Sequence, residues 1–343
     1  MIKIKKEGII LEKTNLEFEN LGVLNPAVIK EGEHVHIFYR AVQKGNLSSI
    51  GYCELEGPLK VKKRNTVPLL ISEDTYESQG VEDARIVKID DVYYMTYTAF
   101  DGVNALGSLA TSTDLKNWDK KGIIVPKVPF SVFKYFSENQ NVNQKYFRHA
   151  RQFKPEENVF LWDKNLIFFP RRINGLLYFL HRIKPGIQIA AVNEIEELTK
   201  EYWEDYLREF KKNILLDPIN NGFEDGYIGG GCPPIETESG WLIIYHGVHD
   251  TSNGYVYSAC AALFELDNPK KLIARLPYPL FVPDLEWELN GVVNNVVFPT
   301  GTALFDDTLY IYYGAADQYV ACASLSLAEL LAELLTNKEN NAN

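Results

Sequence analysis

Five times along this chain a run of aromatic and aliphatic residues alternates with smaller or polar ones and then ends in a polar side chain. The runs read HIFYRAV (36–42), YYMTYTAFD (93–101), LYFLHRI (177–183), WLIIYHGV (241–248) and LYIYYGAAD (309–317). A two-residue period after a turn is the mark of a half-buried β-strand. Recurrence at about 55–80 residues points to a repeat array, and four-stranded blades around a central axis are one such array. The pattern therefore predicts an all-β chain, a β-propeller of five blades with six as the rival count. Shared evenly, the chain gives about 69 residues per blade against the usual ~40–50, so loops and helices must be inserted. If the five runs are equivalent strands, their ends converge on the axis: Arg40, Asp101, His181 or Arg182, His246 and Asp317.

Helical spacing is confined to the periphery. The segment at about 127–152 has no clear period and reads as an insertion between blades. From Asn193 onward, Ile195, Leu198, Trp203, Tyr206, Leu207 and Phe210 recur at helical intervals, predicting a helix over about 194–212. Asn193 would cap it, with Glu196 completing a capping box. A second amphipathic helix is predicted over about 325–336. Neither carries an obvious chemical group, and both read as packing elements on a single domain spanning 1–343.

Composition narrows the class. The chain has 343 residues, 46% of them hydrophobic, and a formal net charge of −11. An acidic chain of this kind is a poor partner for nucleic acid or an anionic membrane, although a locally basic pocket stays possible. Cys53, Cys232, Cys260 and Cys322 are scattered without a CxxC pair, so neither a disulfide framework nor a structural zinc site is expected. The histidines show no metal-ligand spacing, and no metal is expected. The N-terminus lacks an apolar signal region, and no stretch approaches a membrane span. A cytoplasmic protein is expected, with a homo-oligomer possible.

The polar motifs fall in register with the strands. NPAV (25–28), EDAR (82–85), DKNLIFFP (163–170), GGGCPP (229–234) and NNVVFPTG (294–301) each precede one of the aromatic runs. Surface decoration has no reason to keep that register. In GVEDARI the acids Glu82 and Asp83 stand beside Arg85, whose cation keeps a carboxylate ionised. Gly229–Gly231 is not followed by a helix as a nucleotide loop requires, and reads instead as close backbone approach near the axis. The RHAR string of the insertion (Arg148, His149, Arg151) either reaches the pocket or lies on the surface.

The strings GVEDARI, YYMTYTAFDG, TSTDLKNW, FFPRRINGLLYFLHR, WLIIYHGV and FPTGTALFDDTLYIYYGAAD, in this order, resemble glycoside hydrolase family 130 from about residue 20 to about residue 325. The resemblance implies a five-bladed β-propeller acting on β-mannosides, as a phosphorylase releasing α-mannose 1-phosphate or, in a subset, as a hydrolase. It implies that Asp83 is the general acid, protonating the glycosidic oxygen through the 3-hydroxyl of the sugar. Asn25, Arg40, Arg85, Asp101 and Asp317 are implied to hold the mannoside, and Lys164, Arg182, His246 and Tyr257 the phosphate. In place of the Lys-Asp that phosphorylases commonly carry before the blade strand, this chain has Lys164-Asn165, with Asp163 in front.

These residues fit the chemistry. Sugar hydroxyls donate and accept, so they suit mixed carboxylates, amides and guanidinium groups. Inorganic phosphate, the expected co-substrate in place of any cofactor, needs charge-assisted donors. Inverting cleavage by water needs a second carboxylate as base, whereas phosphate needs only positioning. Phosphorolysis of β-1,4- or β-1,2-linked mannosides is thus expected. The alternatives are a β-mannosidase with Glu82, Asp163 or Asp225 as base, and a non-catalytic glycan-binding propeller.

Overall fold

The computed structural model describes residues 2–148, 159–220 and 222–338. These form an all-β protein with four short α-helices. The strands group into five antiparallel, sequential four-stranded units. Unit one comprises Gly22–Glu31, His34–Gln43, Leu47–Glu56 and Lys60–Arg64. Unit two comprises Gly80–Ile89, Val92–Phe100, Ala105–Ser112 and Asp119–Ile123, linked to unit one by a single parallel bridge, Ser48 to Gly80. Unit three comprises Lys164–Phe168, Leu177–Arg182, Ile187–Val192 and Ile214–Leu216. Unit four comprises Tyr227–Gly230, Gly240–Thr251, Gly254–Phe264 and Leu272–Arg275, with Ile235–Thr237 as an extra edge piece. Unit five takes three strands from the end of the chain, Val297–Phe305, Thr308–Ala315 and Tyr319–Ser326. Its fourth, Lys5–Leu11, comes from the beginning.

The five aromatic runs are the second strands of the five units, and the polar motifs open or lead into the first strands. Tight turns join them: Asp90 and Asp91 (φ 48° and 64°), and Asn174 with Gly175 (φ 51° and 84°), supply the left-handed pair that a two-residue hairpin demands. Second strands are apolar on both faces because each unit is packed on two sides. Five apolar cores result, each between neighbouring units. Phe38 and Ile50 meet Val81 and Met95 between units one and two; Leu109 meets Phe168 and Phe179 between two and three. Ile189 meets Trp241 and Ile243 between three and four; Ile244 meets Val297 and Ile311 between four and five. Tyr312 and Val320 of unit five then meet Val23 and Ile37 of unit one.

Each unit also holds one fully buried carboxylate just ahead of, or at, its first strand: Glu19, Glu77, Asp163, Glu224 and Glu288, all 0% exposed. In four units it lies between a second-strand tyrosine and a cation of the fourth strand. Glu19 accepts from Tyr39 at 2.7 Å and Arg64 at 2.8 Å. Glu224 accepts from Tyr245 at 3.0 Å and Arg275 at 2.7 Å. Glu288 accepts from Tyr313 and Lys6, each at 2.6 Å. Glu77 takes Lys120, with Tyr97 alongside, its hydroxyl pushed up by burial and by Glu77. Charges so deep persist only when paired.

The helices are peripheral. α1 (Phe130–Ser137) and a short 3-10 turn at Gln144–Phe147 make up the described part of the insertion; His149 and Arg151 lie outside the described residues. α2 (Lys200–Arg208) begins later than the spacing suggested. Thr199 caps it by accepting from Tyr202 N, while Asn193 bonds Glu197 and the residues between form a separate 3-10 turn. The expected Asn193–Glu196 capping box is therefore replaced. α3 is Glu286–Leu289, and α4 (Leu327–Thr336) buries Leu330 and Leu334 against units four and five.

Candidate active site

At one end of the units a cavity of about 250 Å³ is lined by Asn25, Arg40, Asp83, Trp162, Lys164, Asn165, Arg182, Lys184, Tyr227, His246, Tyr257, Val293, Val296, Phe298 and Asp317. Three lining residues sit in register shifts of first strands. The pairing slips between Leu24 and Ala27, Glu82 and Arg85, and Lys164 and Ile167. Inside those slips Asn25, Asp83 and Asn165 adopt φ of 47°, 51° and 51°. A left-handed residue in a β-bulge re-aims its side chain, and Asn and Asp are the side-chain-bearing residues that tolerate it best. One backbone device therefore delivers a polar group from each of units one to three.

Second strands deliver three more polar groups. Tyr39, His181 and Tyr245 face outward to the buried carboxylates, so the next residue in each strand, Arg40, Arg182 and His246, faces the cavity. The open choice between His181 and Arg182 thus resolves to Arg182. In unit five the matching position is Gly314, where a Cβ would come within 2.0 Å of Asn25 Oδ1. Glycine there makes room for Asn25. Asp317 enters three residues later through a left-handed turn, Ala316 and Asp317 having φ of 46° and 52°.

The lining divides into two groups of side chains. Around Asp83, Asn25 Nδ2 donates to Oδ1 at 2.8 Å and Arg40 Nη1 lies 3.4 Å from the same oxygen. Arg40 also bonds Glu82 at 2.7 Å and Ser48 at 2.9 Å. Burial alone would raise the Asp83 carboxyl, but Arg40, Lys164 and Asn25 outweigh it and hold the acid down to about 2. Asp317 goes the other way. Burial and the neighbouring Asp83 charge push it up to about 6, against the pull of Arg40 and Lys164. Two carboxylates in one basin share their first proton this way.

The second group is basic and aromatic. Arg182 and Lys184 have no carboxylate partner among the described residues. Lys184 lies 3.6 Å above the Tyr227 ring, and burial together with Arg182 and Lys164 pulls its ammonium down to about 7. His246 is fully buried, its ring 4.4 Å from that of Phe298 at a 39° tilt, and held well below the usual histidine range by burial and Arg182. Neither of its ring nitrogens makes a well-formed hydrogen bond within the fold. Tyr257 and Tyr227 bond each other through their hydroxyls. Gly229 keeps His246 and Arg182 in place, since a Cβ there would lie 2.5 Å from the imidazole and 2.8 Å from Arg182 Cδ. Lys164 belongs to both groups, 3.6 Å from Glu82 and facing the cavity.

Several expected residues lie elsewhere. Arg85 is walled off behind the site, donating to the main-chain oxygens of Gly231, Asp83 and Ala84, and burial pulls it down to about 10. Its bond is to the Asp83 backbone, so Arg40 rather than Arg85 is the carboxylate's partner. Asp101 closes a turn, accepting from Val103 N, Asn104 N and Asn104 Nδ2 at 2.6–2.9 Å, and does not line the cavity. The three candidate bases are committed: Glu82 to Arg40 and Lys164, Asp163 to His181, and Asp225 to His249 at 2.8 Å. Asp225 lines a second cavity of about 300 Å³ instead, with the exposed Arg148. Lys184, Asn165, Trp162, Tyr227 and Phe298 were not anticipated. Lys184 had a signal only in its place two positions beyond Arg182, at the turn that follows the second strand.

The chain is similar to known proteins over nearly its whole length. A sequence profile of glycoside hydrolase family 130, described as beta-1,4-mannooligosaccharide phosphorylase, matches residues 9–335. A 1,2-beta-oligomannan phosphorylase of Thermoanaerobacter sp. (strain X514) is 32% identical, the match covering 96% of this chain and 99% of that one. A beta-1,2-mannobiose phosphorylase of the same organism is 34% identical, with 94% and 96% covered. In structure, the beta-1,2-mannobiose phosphorylase of Listeria innocua, solved with beta-1,2-mannobiose, superposes with a TM-score of 0.74 at 23% identity, over 98% of this chain and all of that one. Its likeness is one of fold. With the profile spanning nearly the whole chain and full-length relatives above 30% identity, the chain belongs to glycoside hydrolase family 130.

Proposed function

We propose that the protein is an inverting β-mannoside phosphorylase, a single five-bladed propeller whose axial cavity holds a mannosyl unit beside inorganic phosphate. The cyclic order of the five cores, ending between unit five and unit one, supports the propeller. One observation carries the reaction: Arg182 and Lys184, two cations without carboxylate partners among the described residues, share a cavity with Asp83. An unpaired, desolvated cation pair is costly unless an anion fills it. Asp83, Asn25, Arg40 and Asp317 then hold the sugar hydroxyls. Asp83, ionised beside Arg40 and Lys164 before phosphate binds, takes up a proton once the phosphate charge offsets those cations, and passes it through a sugar hydroxyl to the leaving oxygen as the C1–O bond breaks. A phosphate oxygen, oriented by Arg182, Lys184, Lys164, His246 and Tyr257, bonds C1 from the opposite face and gives the α-1-phosphate. The proton of hydrogenphosphate is released, and Asp83 is reprotonated from solvent.

The hydrolytic reading is weakened because Glu82, Asp163 and Asp225 are each engaged by other side chains and none of them lines the cavity. β-1,2-Linked mannosides are the first substrates to try, since the full-length relatives are named for them. Four buried free cysteines suit a reducing compartment, and a cytoplasmic location is part of this proposal. Among the described residues no helix is long and apolar enough to cross a membrane. Asp83→Asn separates an enzyme from a glycan-binding module. Turnover is expected to fall by about 10²–10⁴-fold, the usual worth of a general acid, while mannobiose still binds by calorimetry. Wild-type protein that binds mannobiose but never turns it over would leave only the binding module.

A further inference from the structure

Unit three departs from the carboxylate–tyrosine–cation arrangement of its four neighbours. Its second-strand position carries His181 instead of tyrosine, and its fourth strand, Ile214–Leu216, offers no cation. Asp163 Oδ2 lies 2.8 Å from His181 Nδ1, and Asp163 Oδ1 accepts from the Arg182 main-chain N–H at 3.2 Å. His181 Nε2 lies 2.7 Å from the Tyr206 hydroxyl of α2, which lies 3.0 Å from the main-chain oxygen of Ile189. Asp163 and His181 are 0% exposed and Tyr206 7%. A carboxylate only accepts, so Nδ1 donates to Asp163, and the Tyr206 hydroxyl, within reach of both Nε2 and the Ile189 oxygen, ties the ring to α2. Unit three thus answers its buried carboxylate with an imidazole at the tyrosine position and, behind it, a hydroxyl from a helix.

We propose that Asp163, His181 and Tyr206 form a buried positioning chain through which α2 fixes the phosphate-binding cations. This rests on the phosphorylase reading. Lys164 directly follows Asp163, Arg182 directly follows His181, and the two cations are cross-strand partners. The backbone of Asp163 is itself pinned to unit two, its N–H bonding Ala105 O at 3.1 Å and its C=O accepting from Gly107 at 2.8 Å. Loosening the chain lets the Arg182 segment shift, and the anion feels that before the sugar does. None of the three residues touches substrate. Their role is to hold what does.

The two Michaelis constants test this. Tyr206→Phe keeps the ring packing and removes the hydroxyl; Asp163→Asn keeps the shape and removes the charge. Losing one such buried hydrogen bond is expected to raise the phosphate KM by about tenfold in each, with the mannoside KM and saturated kcat within about twofold. A purely structural role would lower thermal stability without splitting the two KM values. An unchanged phosphate KM in both variants overturns the proposal. Wild-type protein forming no mannose 1-phosphate sinks the phosphorylase reading instead, and phosphate affinity of the two variants by calorimetry then still reads the positioning.

Discussion

At the scale of single residues, the cavity sets two protonation states against ordinary values, and each has a measurable consequence. Asp317 is raised to about 6 by burial and Asp83. Between its ordinary value of 3.8 and 6, the folded protein keeps a proton that the unfolded chain has released. Stability therefore falls as pH rises through that window, and the full cost, about 3 kcal/mol at 1.36 kcal/mol per unit, is present above it. Asparagine tolerates the same left-handed backbone and carries no charge. Asp317→Asn is expected to stabilise the fold by about 1–3 kcal/mol at pH 7 and by little at pH 4, while weakening mannoside turnover; urea unfolding at both pH values checks it. Lys184, held near 7, must take up a proton to meet phosphate as pH rises above that value. Phosphate affinity should fall by up to about tenfold per pH unit above 7, and Lys184→Met should bind more weakly with a flatter profile, read from phosphate KM against pH. Most of these groups could be read from sequence because the strand ends bear distinctive polar residues. Arg85 and Asp101 misled because neighbourhood in sequence says nothing about which face of a bulge or turn a side chain takes. The aromatic walls were illegible, since a cavity tyrosine and a packing tyrosine look alike in a strand.

At the scale of elements, the same module is built five times: a bulged or glycine-lined first strand facing the cavity, and a second strand with one face in a core. A buried carboxylate locks the first strand to the others. In unit four, Glu224 holds Arg275 and Tyr245 with no solvent access. Glu224→Gln would leave that guanidinium buried without its counter-charge, and the expected loss is about 3–5 kcal/mol, seen as a lower denaturant midpoint with unchanged slope. The aromatic second strands were fully legible from their two-residue period. The carboxylates were not, because Glu19, Glu77 and Glu288 sit in polar linkers that read as surface loop. Helix α2 shows a different limit. Its apolar spacing was visible from Ile195, but Thr199, by capping Tyr202 N, decides where the α-helix starts. The same helix looked chemically inert in sequence, and only the fold brings Tyr206 to His181.

At the scale of the whole molecule, the sequence announced five units but not how the array ends. Nothing in KKEGIIL says that Lys5–Leu11 completes the last unit, and only pairing with Tyr319–Ser326 reveals it. That pairing brings the two ends of the described chain into one unit, and residues as distant as Asn25 and Asp317 line one cavity with Asp83, Arg182 and Lys184. The chemistry follows from that assembly. Incubating the protein with β-1,2-mannobiose and ¹⁸O-labelled phosphate in ordinary water, and following ³¹P NMR and product mass, tests it most directly. The account predicts α-mannose 1-phosphate that keeps the full phosphate label, including the oxygen bonded to C1, and no sugar release when phosphate is omitted. Free mannose appearing at the same rate without phosphate, or a β-configured phosphate, would contradict it.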